Sequence, residues 1–201
     1  MQSMAEELPP YCAHIAHRVE HPDRWKAGFD GLERERRDAG ILGHHINRSR
    51  DDPQLITVFL PLADLDRATS FTAAYVREEV VQVLGIESHP RIQWLLPIRE
   101  AVVPDRQVPA VLFRTRVVDL DDWLAAYDNA AKLRHDAGIV GHAARRSVGD
   151  PSSITLYHQA DSFDALHDFL ADPGTRFGLP DGGVACELRF TFHTGGWAKT
   201  Y

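Results

Sequence analysis

The sequence predicts an α+β chain built from two tandem βαββαβ units packed sheet to sheet, and three observations carry that prediction. The segment Asp38 to Pro53 returns at Asp136 to Pro151 in the pattern D-A-G-I-x-G-H-x-x-x-R-S-x-x-D-P, 98 residues on and with no insertion. Around it, from Arg18 to Ala73, 22 of 56 positions are identical to those 98 residues later, which marks a tandem duplication. Within each copy, apolar residues recur with the period of a strand or of a helix, in the order β-α-β-β-α-β.

The elements follow in order. Tyr11 to Arg18 reads as a strand that sends His14 and His17 to opposite faces. Pro22-Asp23 opens a helix, proline fitting the first turn and aspartate the positive end of the dipole. Trp25, Phe29 and Leu32 form its buried stripe, and Gly40 stops it as a left-handed cap. Gly43 to Arg50 is the second strand, Asp51-Asp52-Pro53 a turn, and Leu55 to Leu60 a strongly apolar third strand. Asp64 starts a second helix at Leu65, which breaks and resumes through Glu78 to Leu84, and Arg91 to Ile98 is the fourth strand. The second copy repeats the plan: strand Val111 to Val118, helix Leu120 to Asp136, strands Ile139 to Val148 and Ser153 to Gln159. A helix capped by Ser162 runs to Ala171, Val184 to His193 is the last strand, and Trp197 in a Gly-Gly-Trp tail covers a strand end. The units are residues 1–100 and 109–201, joined by a Pro-containing linker at 101–108.

Composition narrows the function. A length of 201 residues with 44% hydrophobic side chains supports a proper core. A net charge of -7, without a Lys/Arg cluster interleaved with aromatics, argues against a nucleic-acid partner. No window approaches the roughly 18 apolar residues of a membrane span, and Met1 to Pro10 holds two glutamates and no apolar run, so a cytoplasmic location is expected. Cys12 and Cys186 are expected to be reduced, buried thiols. The outlier is histidine, with 11 copies, which directs attention to acid/base chemistry.

Each unit has the ferredoxin-like order, a four-stranded antiparallel sheet with both helices on one face. Its other apolar face must be covered, and packing the two sheets together does so within one chain. Gly-His-x-x-x-Arg followed by Asp-Pro and an apolar strand, behind an amphipathic helix, resembles the dimeric α/β barrel superfamily. That group includes antibiotic-biosynthesis-monooxygenase-like domains and small polyketide cyclases. The resemblance spans nearly all of both halves and implies a fused pair, a pseudo-dimeric α/β barrel. It also implies a pocket between a sheet and its own helices. The superfamily hosts oxygenases, cyclases, haem-binding enzymes and proteins without known activity, so fold alone does not select a reaction.

Alternation places His44, Ile46 and Arg48 on one face of the second strand and His45 and Asn47 on the other. His142 and Arg146 are the counterparts of His44 and Arg48. In a functional reading these histidines act as bases and the arginines anchor an anionic oxygen. In a structural reading they pair with hairpin carboxylates such as Asp52 and Asp150. Features present in both copies serve the shared fold, so positions that differ point to a site: His17 against Thr115, His14 against Leu112, His45 against Ala143, Phe59 against Tyr157, Leu60 against His158. The expected catalytic residues are His45, His158 and Tyr157 from the differing positions and His142 from the repeated strand, with His17, His44, Asn47, Arg48, Trp94 and Arg146 holding substrate. Metal ligation is not expected, because no H-E-x-x-H occurs and both His14-x-x-His17 and His44-His45 split across a strand.

The leading expectation is a monooxygenase acting on an aromatic or polyketide-like small molecule. A histidine deprotonates the substrate, whose carbanion reacts directly with oxygen. No cofactor is then needed; reduced flavin and haem stay open. A cyclase or isomerase would use the same base without oxygen, and a non-catalytic ligand-binding or stress-response protein would use neither. The chain is expected to be a monomer with an internal pseudo-dimer, or a homodimer.

Overall fold

A computed structural model describes residues 8–103, 107–171 and 189–201. The first half contains β1 (Tyr11–Arg18), α1 (Pro22–Gly31), α2 (Glu33–Asp38), β2 (Gly43–Ser49), β3 (Leu55–Leu62), α3 (Leu65–Tyr75), α4 (Glu78–Val83) and β4 (Arg91–Ala101). The second contains β5 (Ala110–Arg116), α5 (Leu120–Asn129), α6 (Ala131–Asp136), β6 (Ile139–Ser147), β7 (Ser153–Ala160), α7 (Phe163–Ala171) and β8 (Thr191–Thr200).

The eight strands form one closed antiparallel barrel in the order β1-β3-β2-β8-β5-β7-β6-β4. Each half contributes the same internal order, β4-β1-β3-β2 and β8-β5-β7-β6. Sheet-to-sheet packing was the expectation; the halves are instead joined edge to edge, through β2–β8 and β4–β6. Closure satisfies the edge strands' N–H and C=O groups as well as covering the apolar inner faces, and face-to-face packing would do only the second.

Outside the barrel lie two helix layers, each over its own apolar core. One gathers Trp25, Phe29, Ile46, Val58 and Leu60. The other gathers Trp123, Tyr127, Ala144, Leu156 and Phe169. A third, smaller cluster with Cys12, Phe59, Leu95, Leu112 and Tyr157 fills the barrel interior and draws on both halves.

Helix starts follow the sequence. Asp64 accepts from the Arg67 N–H at 2.9 Å, Asp119 from Asp122 at 2.9 Å, and Ser162 Oγ from Ala165 at 3.1 Å. The expected single helices before Gly40 and Gly138 are each broken, at Leu32 and at Ala130. A buried arginine explains both breaks. Arg36 Nη1 donates to the Phe29 carbonyl and Arg134 Nη1 to the Tyr127 carbonyl (2.5 Å), and each guanidinium stacks on the ring of the same residue, at 3.7 and 3.9 Å. The guanidinium takes a carbonyl on which a continuing helix would depend.

The last strand is shifted from its expected position. Residues 184–188 of Val184–His193, and Cys186 with them, lie outside the described residues, and the described strand is Thr191–Thr200. Gly195-Gly196, expected in a tail, sits inside β8 because β2 passes so close. A Cβ on Gly196 would stand 1.7 Å from the Ile46 carbonyl oxygen.

The repeated hairpins are also tied differently from the structural expectation. Asp52 pairs with Arg18, and Asp150 with Arg116 at 2.9 Å. Arg48 instead donates to the Pro53 carbonyl at 3.3 Å.

Candidate functional site

Alternation along the strands divides the polar residues between two environments. Asn47, Tyr157, Arg145 and His14 face the barrel interior with His45. His17, His44, His142 and His158 face the helix layers. At one end of the barrel the interior opens as a cavity of about 410 Å³, with Cys12, His45, Phe59, Glu100 and Arg145 in its wall and Lys199 among its rim residues.

His45 is the only expected catalytic base that lines this cavity. Its Nε2 lies 3.4 Å from the Tyr157 hydroxyl, which is 2.9 Å from Asn47 Oδ1. That hydroxyl has one proton, and Asn47 Oδ1 can only accept it, so toward His45 the hydroxyl accepts. Nε2 then carries the ring proton and Nδ1 is the basic nitrogen. Burial, helped by the Arg145 charge, lowers the His45 pKa to about 4, so the ring is neutral at pH 7. Burial also raises the Tyr157 pKa, so the phenol positions His45 rather than supplying protons. Cys12 is pushed up to about 12 by burial and stays a thiol, poorly suited to nucleophilic work.

Arg145 and Glu100, absent from the expected site, complete it. Arg145 is 3% exposed, its Nη2 donates to Glu100 Oε1 at 2.6 Å, and its guanidinium lies 4.6 Å from the Phe59 ring centre. The signal was present in the sequence. The 98-residue offset sets Arg145 against Asn47 and Glu100 against Ala198, the same asymmetry that singles out His45 and Tyr157.

The other expected residues are elsewhere. His142 and His158 lie under the second helix layer, His142 Nδ1 at 2.9 Å and His158 Nε2 at 3.4 Å from the Tyr127 hydroxyl. They do not reach the cavity lining, because residues one position away on the same strands point into the barrel. His44 contributes to the cavity rim, but its ring packs on Phe29 and Tyr201 and its Nδ1 is 3.0 Å from the Tyr201 hydroxyl. His17 is buried against Trp25 and Tyr75, its ring nitrogens without hydrogen-bond partners. Trp94 and Trp197 pack against the first helix-side core, and Arg146 is half-buried on β6, also away from the cavity.

Two stability predictions arise here. Removing the Tyr127 hydroxyl (Tyr127→Phe) takes away the group that His142 and His158 both approach and is expected to cost about 1–3 kcal/mol in urea unfolding. A midpoint equal to wild type would mean the hydroxyl is not their anchor. The second concerns pH. Burial lowers His14 to about 3, lowers His17, His44, His45, His142 and His193 to about 4, and holds His158 well below its ordinary value. The unfolded chain, with histidines near 6.5, therefore binds more protons than the folded one between about pH 4 and 6.5. Their contribution to stability is complete above pH 6.5 and is lost as pH falls through that window. Thermal unfolding followed from pH 7.5 to 4.5 should show Tm dropping with increasing steepness below 6.5, and a flat profile would show that these rings titrate normally.

No protein-family model matches the chain, and no curated sequence does. Solved structures do match. An anthrone oxidase-like protein superposes with a TM-score of 0.68 at 13% identity, over 96% of this chain and 94% of its own. A ferredoxin-fold protein from Listeria monocytogenes related to antibiotic biosynthesis monooxygenases gives 0.55 at 8% identity, over 94% and 95%. A heme-degrading enzyme from the same species gives 0.52 at 7% identity, over 91% and 98%. The chain shares its fold with these structures.

Haem chemistry occurs within that fold, so the donor set matters. The two histidines of the cavity lining each have a ring nitrogen beside a phenol, His45 at 3.4 Å from Tyr157 and His44 at 3.0 Å from Tyr201, and each ring packs edge-on to that phenol. The hydrogen-bonded nitrogen does not disqualify either ring, since a metal-ligating imidazole ordinarily donates its other N–H; His45, whose Nδ1 is left open on the cavity, is the residue that would hold a haem iron here. Among the described residues, no group of three or more His, Cys, Asp or Glu is placed to hold a metal ion. No helix among them is long and apolar enough to cross a membrane.

Proposed function

We propose that the chain is a monooxygenase that oxidises an aromatic or polyketide-like small molecule in the barrel-mouth cavity, with His45 as the base. The observation that carries this reading is the Asn47–Tyr157–His45 chain, which fixes the tautomer and leaves His45 Nδ1 as the basic nitrogen on a cavity of substrate size. Nδ1 takes a proton from an activated C–H of the substrate. Although burial makes His45 a weak base, the carbanion formed beside it favours the imidazolium. The carbanion adds oxygen, and the imidazolium returns its proton to the peroxide. Loss of water then leaves a carbonyl, with one oxygen atom in the product and the other in water. Turning the CH2 into C=O is a four-electron oxidation that supplies all four electrons O₂ takes up, so this route uses no external reductant.

The matched strand orders support reading residues 1–100 and 109–201 as two units joined through 101–108. With each sheet edge paired inside the chain, the barrel needs no second copy to close.

Oxygen uptake tests the proposal. An anthrone, whose acidic methylene suits this chemistry, should consume one O₂ per ketone formed. Product that cyclises without uptake would favour the cyclase reading, and neither uptake nor product would leave a binding protein.

A further inference from the structure

One charge in the cavity has unused bonding capacity. Arg145 is 97% buried, yet only its Nη2 is engaged, and its Nε and Nη1 have no hydrogen-bond partner. A buried guanidinium with open N–H groups is unfavourable unless something accepts from them. The neighbouring groups do not. Neither Nε nor Nη1 reaches an acceptor on His45 or Cys12, Phe59 offers a ring face, and Glu100 Oε1 already accepts from Nη2. The other cation of the lining, Lys199, pairs with Glu33 at 2.6 Å. Nη1 is an unengaged donor of a guanidinium, the group whose paired N–H bonds match a planar two-oxygen anion.

We infer that Arg145 is the anion-binding residue of the cavity and that the ligand is an aromatic carboxylate. A carboxylate arrives charged at neutral pH, so it needs no base, and His45 is left free to act elsewhere on the same molecule. Phe59, with the Arg145 guanidinium 4.6 Å from its ring centre, puts an aromatic ring in the cavity wall beside that cation. Glu100 is then a competitor, a built-in carboxylate that holds part of the fork. This inference rests on the oxygenase reading only in taking the cavity as the ligand site.

Binding to the full chain tests it without any turnover. Benzoate, with benzamide as neutral control, is titrated by calorimetry. Benzoate should bind at least tenfold tighter than benzamide, and Arg145→Gln should remove that advantage. Glu100→Gln gives the opposite sign, since it frees the fork, and should tighten benzoate by several-fold. Equal affinity of the two probes for wild type, or unchanged benzoate binding by Arg145→Gln, overturns the inference. Should Arg145→Gln fail to fold by circular dichroism, Glu100→Gln decides: unchanged or weaker benzoate binding makes the pair purely structural. Absent oxygen uptake with these binding results intact would sink the oxygenase reading and leave the anion site standing.

Discussion

Gly196→Ala is expected to destabilise the protein by more than about 3 kcal/mol, the upper end of what overpacking does. A Cβ at this position would lie 1.7 Å from the Ile46 carbonyl oxygen, 2.7 Å from its carbon and 3.1 Å from Asn47 Cα. All three are backbone atoms of β2, so no rotamer change relieves the overlap; the strands must separate. β2 and β8 form one of the two seams that join the halves, and Asn47 on that seam holds Tyr157. The effect should therefore appear both as a lower unfolding midpoint and as weaker ligand binding at the cavity. Gly149→Ala is the control, since a Cβ there meets nothing within 4 Å, and should move stability by no more than about 0.5 kcal/mol. Equal midpoints for the two variants would show that β8 does not pair with β2 in this register.

His45→Ala is expected to lower the oxygen-uptake rate by about 10²- to 10⁴-fold, the usual contribution of a positioned base. Tyr157→Phe should act through His45. It removes the group that fixes the tautomer, so kcat falls less and its pH dependence shifts, while KM stays near wild type. His142→Ala belongs to the opposite class. Its ring is engaged by Tyr127 under the second helix layer, so stability should suffer and the rate per folded molecule should not. The outcome that sinks the assignment is a His45 variant at wild-type rate beside a His142 variant without activity. That pattern would move the chemistry to the space between β6 and its helices.

The helix-side positions explain why the repeated segment is mainly architectural. His44 and His142 each meet a phenol, and Arg36 and Arg134 each break a helix by taking its carbonyl. Where the copies differ inside the barrel, the residues come together: Asn47 and His45 from one half, Tyr157 and Arg145 from the other. Divergence was thus a usable signal, but it also flagged His17 and His158, which are buried beneath helices.

The sequence by itself determined what local physics controls. Periodicity, the caps at Asp64 and Ser162, and the repeated helix stop and hairpin set the type and order of the elements, and the duplication set two alike halves. These signals act within a few residues, so they survive without the rest of the chain. Only the tertiary structure decided how the halves join, which face of each strand becomes barrel interior, and which divergent residues meet. Those outcomes depend on pairing between strands far apart in sequence, where a one-residue change of register exchanges the two faces. Arg145 is the clearest case. In the sequence it is one of two adjacent arginines; in the barrel it is a buried cation at the wall of a cavity, with Glu100 beside it.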